Sequence, residues 1–298
     1  MEKAVLLDKP STLLTRLQDY AQLTKMRLAS LVVFSAAMAF MTVPGNINWV
    51  SLLWLTVGGF LVTGSANGFN QIIERDLDKK MDRTKLRPLP DLRLSLTEAY
   101  LVCVVTGLAG ILILSYFLNV RSGMLGAIAI VLYALVYTPL KRQTPLAVFV
   151  GAVPGAIPPL LGYVASTDAF SLQAWVLFSV QFIWQFPHFW AIAWVLHEDY
   201  QKAGFNLLPS GSQDKSSAWQ TFLYTICLVP VGIMPFTFGM TGWISLLVIL
   251  PVSIYFVKLS WDLYKQNSVE AARKLMYGSF IYLPVVQIAF VLDKTGGF

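Results

Sequence analysis

Apolar runs of close to 20 residues recur along almost the whole chain, divided by short connectors and a few charged stretches. Coiled as a helix, a run of that length crosses the hydrocarbon core of a bilayer. The pattern predicts nine spans, at about 28–43, 50–72, 97–117, 123–140, 146–165, 172–197, 218–238, 242–258 and 275–292. Tight turns are expected at Pro44-Gly45-Asn46, at Arg121-Ser122-Gly123 and from Gly239 to Gly242. Two long polar loops fall at about 73–96 and 198–217, and a third, moderately charged one at about 259–274. The expected fold class is an all-α integral membrane protein, a bundle of about nine transmembrane helices. Residues 1–27 read as an N-terminal arm and 28–293 as a single transmembrane domain.

Composition sharpens this reading. The chain is 56% hydrophobic and only 13% charged, whereas a soluble domain carries about a quarter charged residues. Too few polar side chains exist to coat a water-soluble core. The first 27 residues are of mixed polarity, with charges throughout, and lack the apolar stretch of a secretory signal. Cys103 and Cys227 lie inside apolar runs and read as small buried hydrophobes.

The basic residues set an orientation. With the N-terminus inside, 20 of the 22 Lys and Arg fall on the inner side, leaving Arg121 and Lys294 outside. The expected location is therefore the cell (inner) membrane with a cytoplasmic N-terminus. The net charge of +6 is absorbed by this bias and by anionic lipid, so nucleic-acid binding is not needed to explain it. All long loops then share the cytoplasmic face.

One of those loops carries the densest chemistry. Asn70, Glu74, Asp78 and Asp82 recur every four residues, which puts them on one helical face while the helix lasts. Arg75, Lys79, Arg83 and Arg87 form a parallel basic stripe. A solvated helix would alternate signs at i,i+4; here Glu74–Asp78 and Arg75–Lys79 pair like with like, each costing roughly 0.2–0.5 kcal/mol in an isolated helix. Asp76–Lys80 is the one expected structural pair. Segregated stripes make sense if a cation neutralises the acids and an anion the bases. The oxygen-rich face suits Mg²⁺, and the arginines suit a diphosphate.

Asn70-x-x-x-Glu74-x-x-x-Asp78 resembles the first acidic motif of UbiA-type intramembrane prenyltransferases, with Glu in place of the family's first Asp. The longer string Arg75-Asp-x-Asp78-x-x-Met81-x-Arg83-Thr84-x-x-Arg87 is similar to the haem-farnesylating branch of that family. Further strings fit in order. Tyr137-Thr138-x-x-Lys141-Arg142-x-Thr144 resembles a family motif at the active-site mouth, and on composition alone it equally reads as an interfacial anchor. The small, proline-rich run Gly151 to Gly162 reads as close helix packing. Trp184-Gln185-x-Pro187-His188-Phe189 resembles the haem-farnesylating signature. Asp199-Tyr200-x-x-Ala203-Gly204 through Leu208-Pro209 also fits, although the wider family has a second Asp where this chain has Ala203.

The resemblance implies a central cavity within the bundle and transfer of a farnesyl group from farnesyl diphosphate to a vinyl group of haem B. The product is haem O, which a haem A synthase would take onward. It implies Mg²⁺ held by Asn70, Glu74, Asp78 and Asp199, with Asp82 as a further catalytic acid. It implies substrate contacts from Arg75, Arg83, Arg87, Tyr137, Lys141, Arg142 and His188. A lone His in a span is also commonly just packed and hydrogen-bonded, and that reading stays open. So do a UbiA-type enzyme with another acceptor, such as a quinone precursor or chlorophyllide, and a non-catalytic haem-binding or transport protein. A transporter would place acids at mid-membrane, whereas these gather at one face.

Overall fold

In lipid every backbone N–H and C=O must find its partner within the chain, which leaves helices as the solution for these apolar runs. The computed structural model describes residues 13–295; the first part of the expected arm, residues 1–12, lies outside the described residues. The helices are α1 (Leu13–Leu23), α2 (Met26–Thr42), α3 (Trp49–Asp78), α4 (Leu96–Phe117), α5 (Val120–Val131), α6 (Thr138–Leu140), α7 (Ala147–Thr167), α8 (Leu172–Val195), α9 (His197–Lys202), α10 (Lys215–Thr237), α11 (Trp243–Gln266) and α12 (Val269–Leu292). A π-helical segment, Leu132–Tyr137, fuses α5 to α6. Among the described residues eight helices are long and apolar enough to span a membrane, and the pair α1–α2, bent by 52°, makes a ninth candidate. The chain is thus a multi-pass membrane protein.

Local signals fix the ends. Ser95, Asn119, Ser171, Asp214 and Ser268 each turn a side-chain oxygen onto the backbone N–H three residues on, capping α4, α5, α8, α10 and α12. Asn119 makes the turn two residues earlier than expected: Arg121-Ser122-Gly123 is already helical. The expected loop at 259–274 is also corrected. Its charged residues extend α11 and begin α12, and only the Asn267–Ser268 turn remains. The same holds at 73–78, where α3 runs on to Asp78. Charged residues are good helix formers, so a change in polarity marked the membrane surface and not the helix end.

α7 and α8 pack at the centre; α4 and α11 face lipid over most of their surface. Gly162 makes the close contact of α7 with α2: a Cβ there would run into the Ala36 carbonyl. Prolines loosen the same helix. Pro159 has no N–H for the carbonyl of Gly155, and Gln181 Nε2 of α8 donates to that oxygen instead, at 2.7 Å. Gln181 also joins Ser35 of α2 and Gln287 of α12 in a buried polar cluster.

Between α2, α3, the π segment, α7, α8 and α12 lies a cavity of about 370 Å³. Its walls are mostly apolar or aromatic, with Tyr133, Tyr137, Trp184 and Phe280 among them. Leu31 and Phe280 line it while 59% and 43% exposed, so it opens through the flank of the bundle toward lipid.

Candidate active site

α3 presents Asn70, Glu74 and Asp78 on one face, as their spacing predicts, and all three are buried. Each meets a cation from a different element. Lys25 Nζ donates to Asn70 Oδ1 at 2.9 Å. Lys141 forms an ion pair with Glu74. Arg87 Nη1 meets Asp78 Oδ2 at 2.7 Å. Three cations thus face two carboxylates, and the local balance is positive. Low dielectric strengthens this charge toward an incoming anion.

Lys25 sits at the elbow between α1 and α2 with φ 49° and ψ 54°, a left-handed conformation costing a residue with a Cβ about 1–2 kcal/mol. Amides of α3 hold the elbow: Asn67 Nδ2 donates to Thr24 O, and Gln71 Nε2 to the carbonyls of Gln22 and Leu23. The sequence reading left Lys25 out of the site, because it stood only as one of two basic residues, with Arg27, where the polar arm meets the first span. Thr138 stood in the motif at the expected site mouth, but its contact with Asn70 had no sequence signal. Its hydroxyl donates to Tyr133 O, the i−5 register of the π segment, and accepts from Asn70 Nδ2 at 3.1 Å. Tyr133 and Tyr137, four residues apart, both face the cavity. Lys141 lies 5.0 Å from the Tyr137 ring and 5.1 Å from that of Phe205, a cation between two aromatic faces.

The loop 79–95 covers the C-terminal end of this face. Asp82 is not on the buried face, because α3 has ended; it is exposed and pairs with Lys85 and Lys202, both at 2.6 Å. These two ammonium groups hold the Asp82 carboxyl down at about 2. The expected Asp76–Lys80 pair is replaced by contacts of Asp76 with Arg75 and Lys79. Arg83 and Arg142 are exposed, and Arg75 pairs outward.

Asp199 of α9 meets the same loop from the other side. Its oxygens accept the backbone N–H groups of Asp82 and Arg83 at 3.1 and 3.2 Å. Partial burial pushes the Asp199 carboxyl up, but those N–H groups and Lys202 outweigh it and hold it below the usual range. Among the described residues no three His, Cys, Asp or Glu side chains gather as a metal group, so Asp199 is not brought to Glu74 and Asp78. A metal still fits the α3 face: Asp78 Oδ1 is buried with no hydrogen-bond partner, an unsatisfied hard oxygen one turn from Glu74.

His188 lines the cavity, stacked on Trp184 with centroids 4.4 Å apart. Its Nδ1 lies 2.8 Å from Ser279 Oγ of α12.

Known proteins give this arrangement a context. A protoheme IX farnesyltransferase from Cytophaga hutchinsonii is 46% identical over 282 residues, covering 94% of this chain and 99% of the relative. One from Christiangramia forsetii is also 46% identical, covering 93% and 94%. A solved digeranylgeranylglyceryl phosphate synthase superposes with a TM-score of 0.77 at 20% identity, covering 93% of this chain and 98% of that one. A UbiA homologue from Archaeoglobus fulgidus, bound to GPP and Mg²⁺, does so at 0.63 and 15% identity, covering 91% and 99%. The UbiA prenyltransferase family profile matches residues 30–283, and the chain belongs to that family.

Proposed function

We propose that this chain transfers the farnesyl group of farnesyl diphosphate to a vinyl group of haem B, releasing diphosphate and giving haem O. The observation that carries this reading is the ladder of Asn70–Lys25, Glu74–Lys141 and Asp78–Arg87 set beside an aromatic, lipid-open cavity. The acceptor rests on the near full-length likeness to protoheme IX farnesyltransferases.

The chemistry follows from charge. The allylic C–O bond of farnesyl diphosphate breaks with its electron pair leaving on the diphosphate. Lys25, Lys141 and Arg87 are poised to receive that charge, with Arg75, Arg83 and Arg142 supplying cations at the exposed rim. Mg²⁺, held by Asn70, Glu74 and Asp78, would supply further neutralisation of the leaving group. Tyr133 and Tyr137 offer ring faces to the allylic cation and exclude water from it. The farnesyl carbon bonds to the vinyl terminus, a hydroxyl from water ends on the adjacent carbon, and one proton is lost. Asp199 fixes the loop that carries Arg87, while Asp82 locks that loop to Lys202 from outside. His188 contacts the haem.

The loops that carry this charge share one face. We assign that face, with the N-terminus, to the cytoplasmic side of the cell inner membrane, where the Lys and Arg bias puts it. A membrane-bound haem A synthase would then consume the product.

The test is direct. Membranes carrying the protein, given farnesyl diphosphate, haem B and Mg²⁺, should form a species with the mass of haem O. Turnover of a quinone precursor in place of haem B would point to the alternative acceptor.

A further inference from the structure

Ser279 has one hydroxyl proton and two close neighbours. Its Oγ lies 2.6 Å from the carbonyl of Met276, one turn back in α12, and 2.8 Å from His188 Nδ1. A carbonyl oxygen can only accept, so the hydroxyl proton goes to Met276. The contact with His188 then requires the proton to sit on Nδ1, with Ser279 Oγ accepting it. In the neutral imidazole this leaves Nε2 bare, carrying a lone pair.

The surroundings leave that lone pair free. Nε2 has no hydrogen-bond partner among the described residues, and it is not among the buried atoms sealed off without a partner. His188 lines the cavity, its ring stacked on Trp184 and edged by Phe280, whose backbone follows Ser279. Trp184 Nε1 in turn donates to the carbonyl of Ser279, at 3.1 Å, so α8 and α12 are pinned at this one residue. Trp184 and Phe280 thus hold the ring plane of His188, and Ser279 sets its tautomer and which nitrogen faces away from α12.

We infer that Ser279 is a positioning residue that presents His188 Nε2 as a ligand to the iron of a metalloporphyrin acceptor. The inference rests on the haem reading above and deepens it. A ligating histidine needs its second nitrogen held by an acceptor, and losing that acceptor typically weakens metal binding about 10–100-fold. Without the hydroxyl, the proton is free to move to Nε2 and block the iron.

The experiment uses the full chain in detergent with two probes, ferric haem and iron-free protoporphyrin IX. The wild type should show the absorption and electron paramagnetic resonance spectra of an imidazole-ligated ferric porphyrin, and His188→Ala should lose them. Ser279→Ala should weaken ferric haem binding about 10–100-fold and degrade the imidazole signature, while protoporphyrin IX binds as before. Ser279→Thr, which keeps the hydroxyl, should restore both. Equal weakening of the two porphyrins by Ser279→Ala would mean a packing role only and would overturn the inference. An unchanged haem spectrum in Ser279→Ala, or imidazole ligation persisting in His188→Ala, would overturn it as well. A wild type that binds neither porphyrin would sink the haem reading itself, and the inference with it.

Discussion

Asp78→Asn separates a metal anchor from a structural ion pair. Asp78 is fully buried, and only Oδ2 is engaged, by Arg87 at 2.7 Å. The amide keeps the shape and removes the charge. A hydrogen bond to a charged group contributes about 1.5–3 kcal/mol, and Arg87 stays 19% exposed and so keeps some water. The stability cost is therefore about 2 kcal/mol, which lowers the thermal midpoint in detergent without preventing insertion. Turnover should suffer more. Removing one preorganised group aimed at developing charge costs about 10²–10³ in rate. The assay is haem O formation across a Mg²⁺ titration, with membrane abundance and thermal midpoint as controls. The double variant Asp78→Asn with Arg87→Gln removes the orphaned cation, so it should recover most of the stability and none of the activity. Wild-type-like turnover in Asp78→Asn, or its return in the double variant, would refute the metal role.

Three further outcomes are expected. Gly162→Ala should force α7 away from the Ala36 carbonyl and destabilise by about 1–3 kcal/mol, read as a lower unfolding midpoint and a smaller folded yield. Gln181→Leu should strand the Gly155 carbonyl and the Ser35–Gln287 pair, costing about 1–3 kcal/mol in the same assay; an unchanged midpoint would show the cluster to be idle. Asp82 titrates at about 2 in the folded chain against an ordinary 3.8, so its tether to Lys202 is whole above the ordinary value and lost only as pH falls through the lower one. Protease nicking of the 79–95 loop should thus be flat from about pH 5 to 8, and Asp82→Asn should speed it throughout that range.

The spans were legible because lipid demands long apolar helices, and their centres fell where the hydropathy put them. The Asn70–Glu74–Asp78 face was legible for a similar reason: the four-residue spacing needs only a helix to become a surface. What the sequence hid depends on contacts between distant segments. Lys25 reaches Asn70 across 45 positions. Asp199 binds backbone N–H groups, which have no sequence signature at all. The π segment at 132–137 consists of ordinary apolar residues, and only the Thr138 contacts mark its extra residue. Asp82 continued the spacing past the end of the helix, so periodicity alone carried it onto the wrong surface.

The gap flanked by Leu31 and Phe280 changes what concentration means for this enzyme. A greasy reactant arriving through it travels in a two-dimensional fluid, so its effective dose is its mole fraction among the surrounding lipids. Diluting the protein in more bilayer at fixed bulk substrate should slow it, as adding buffer would not.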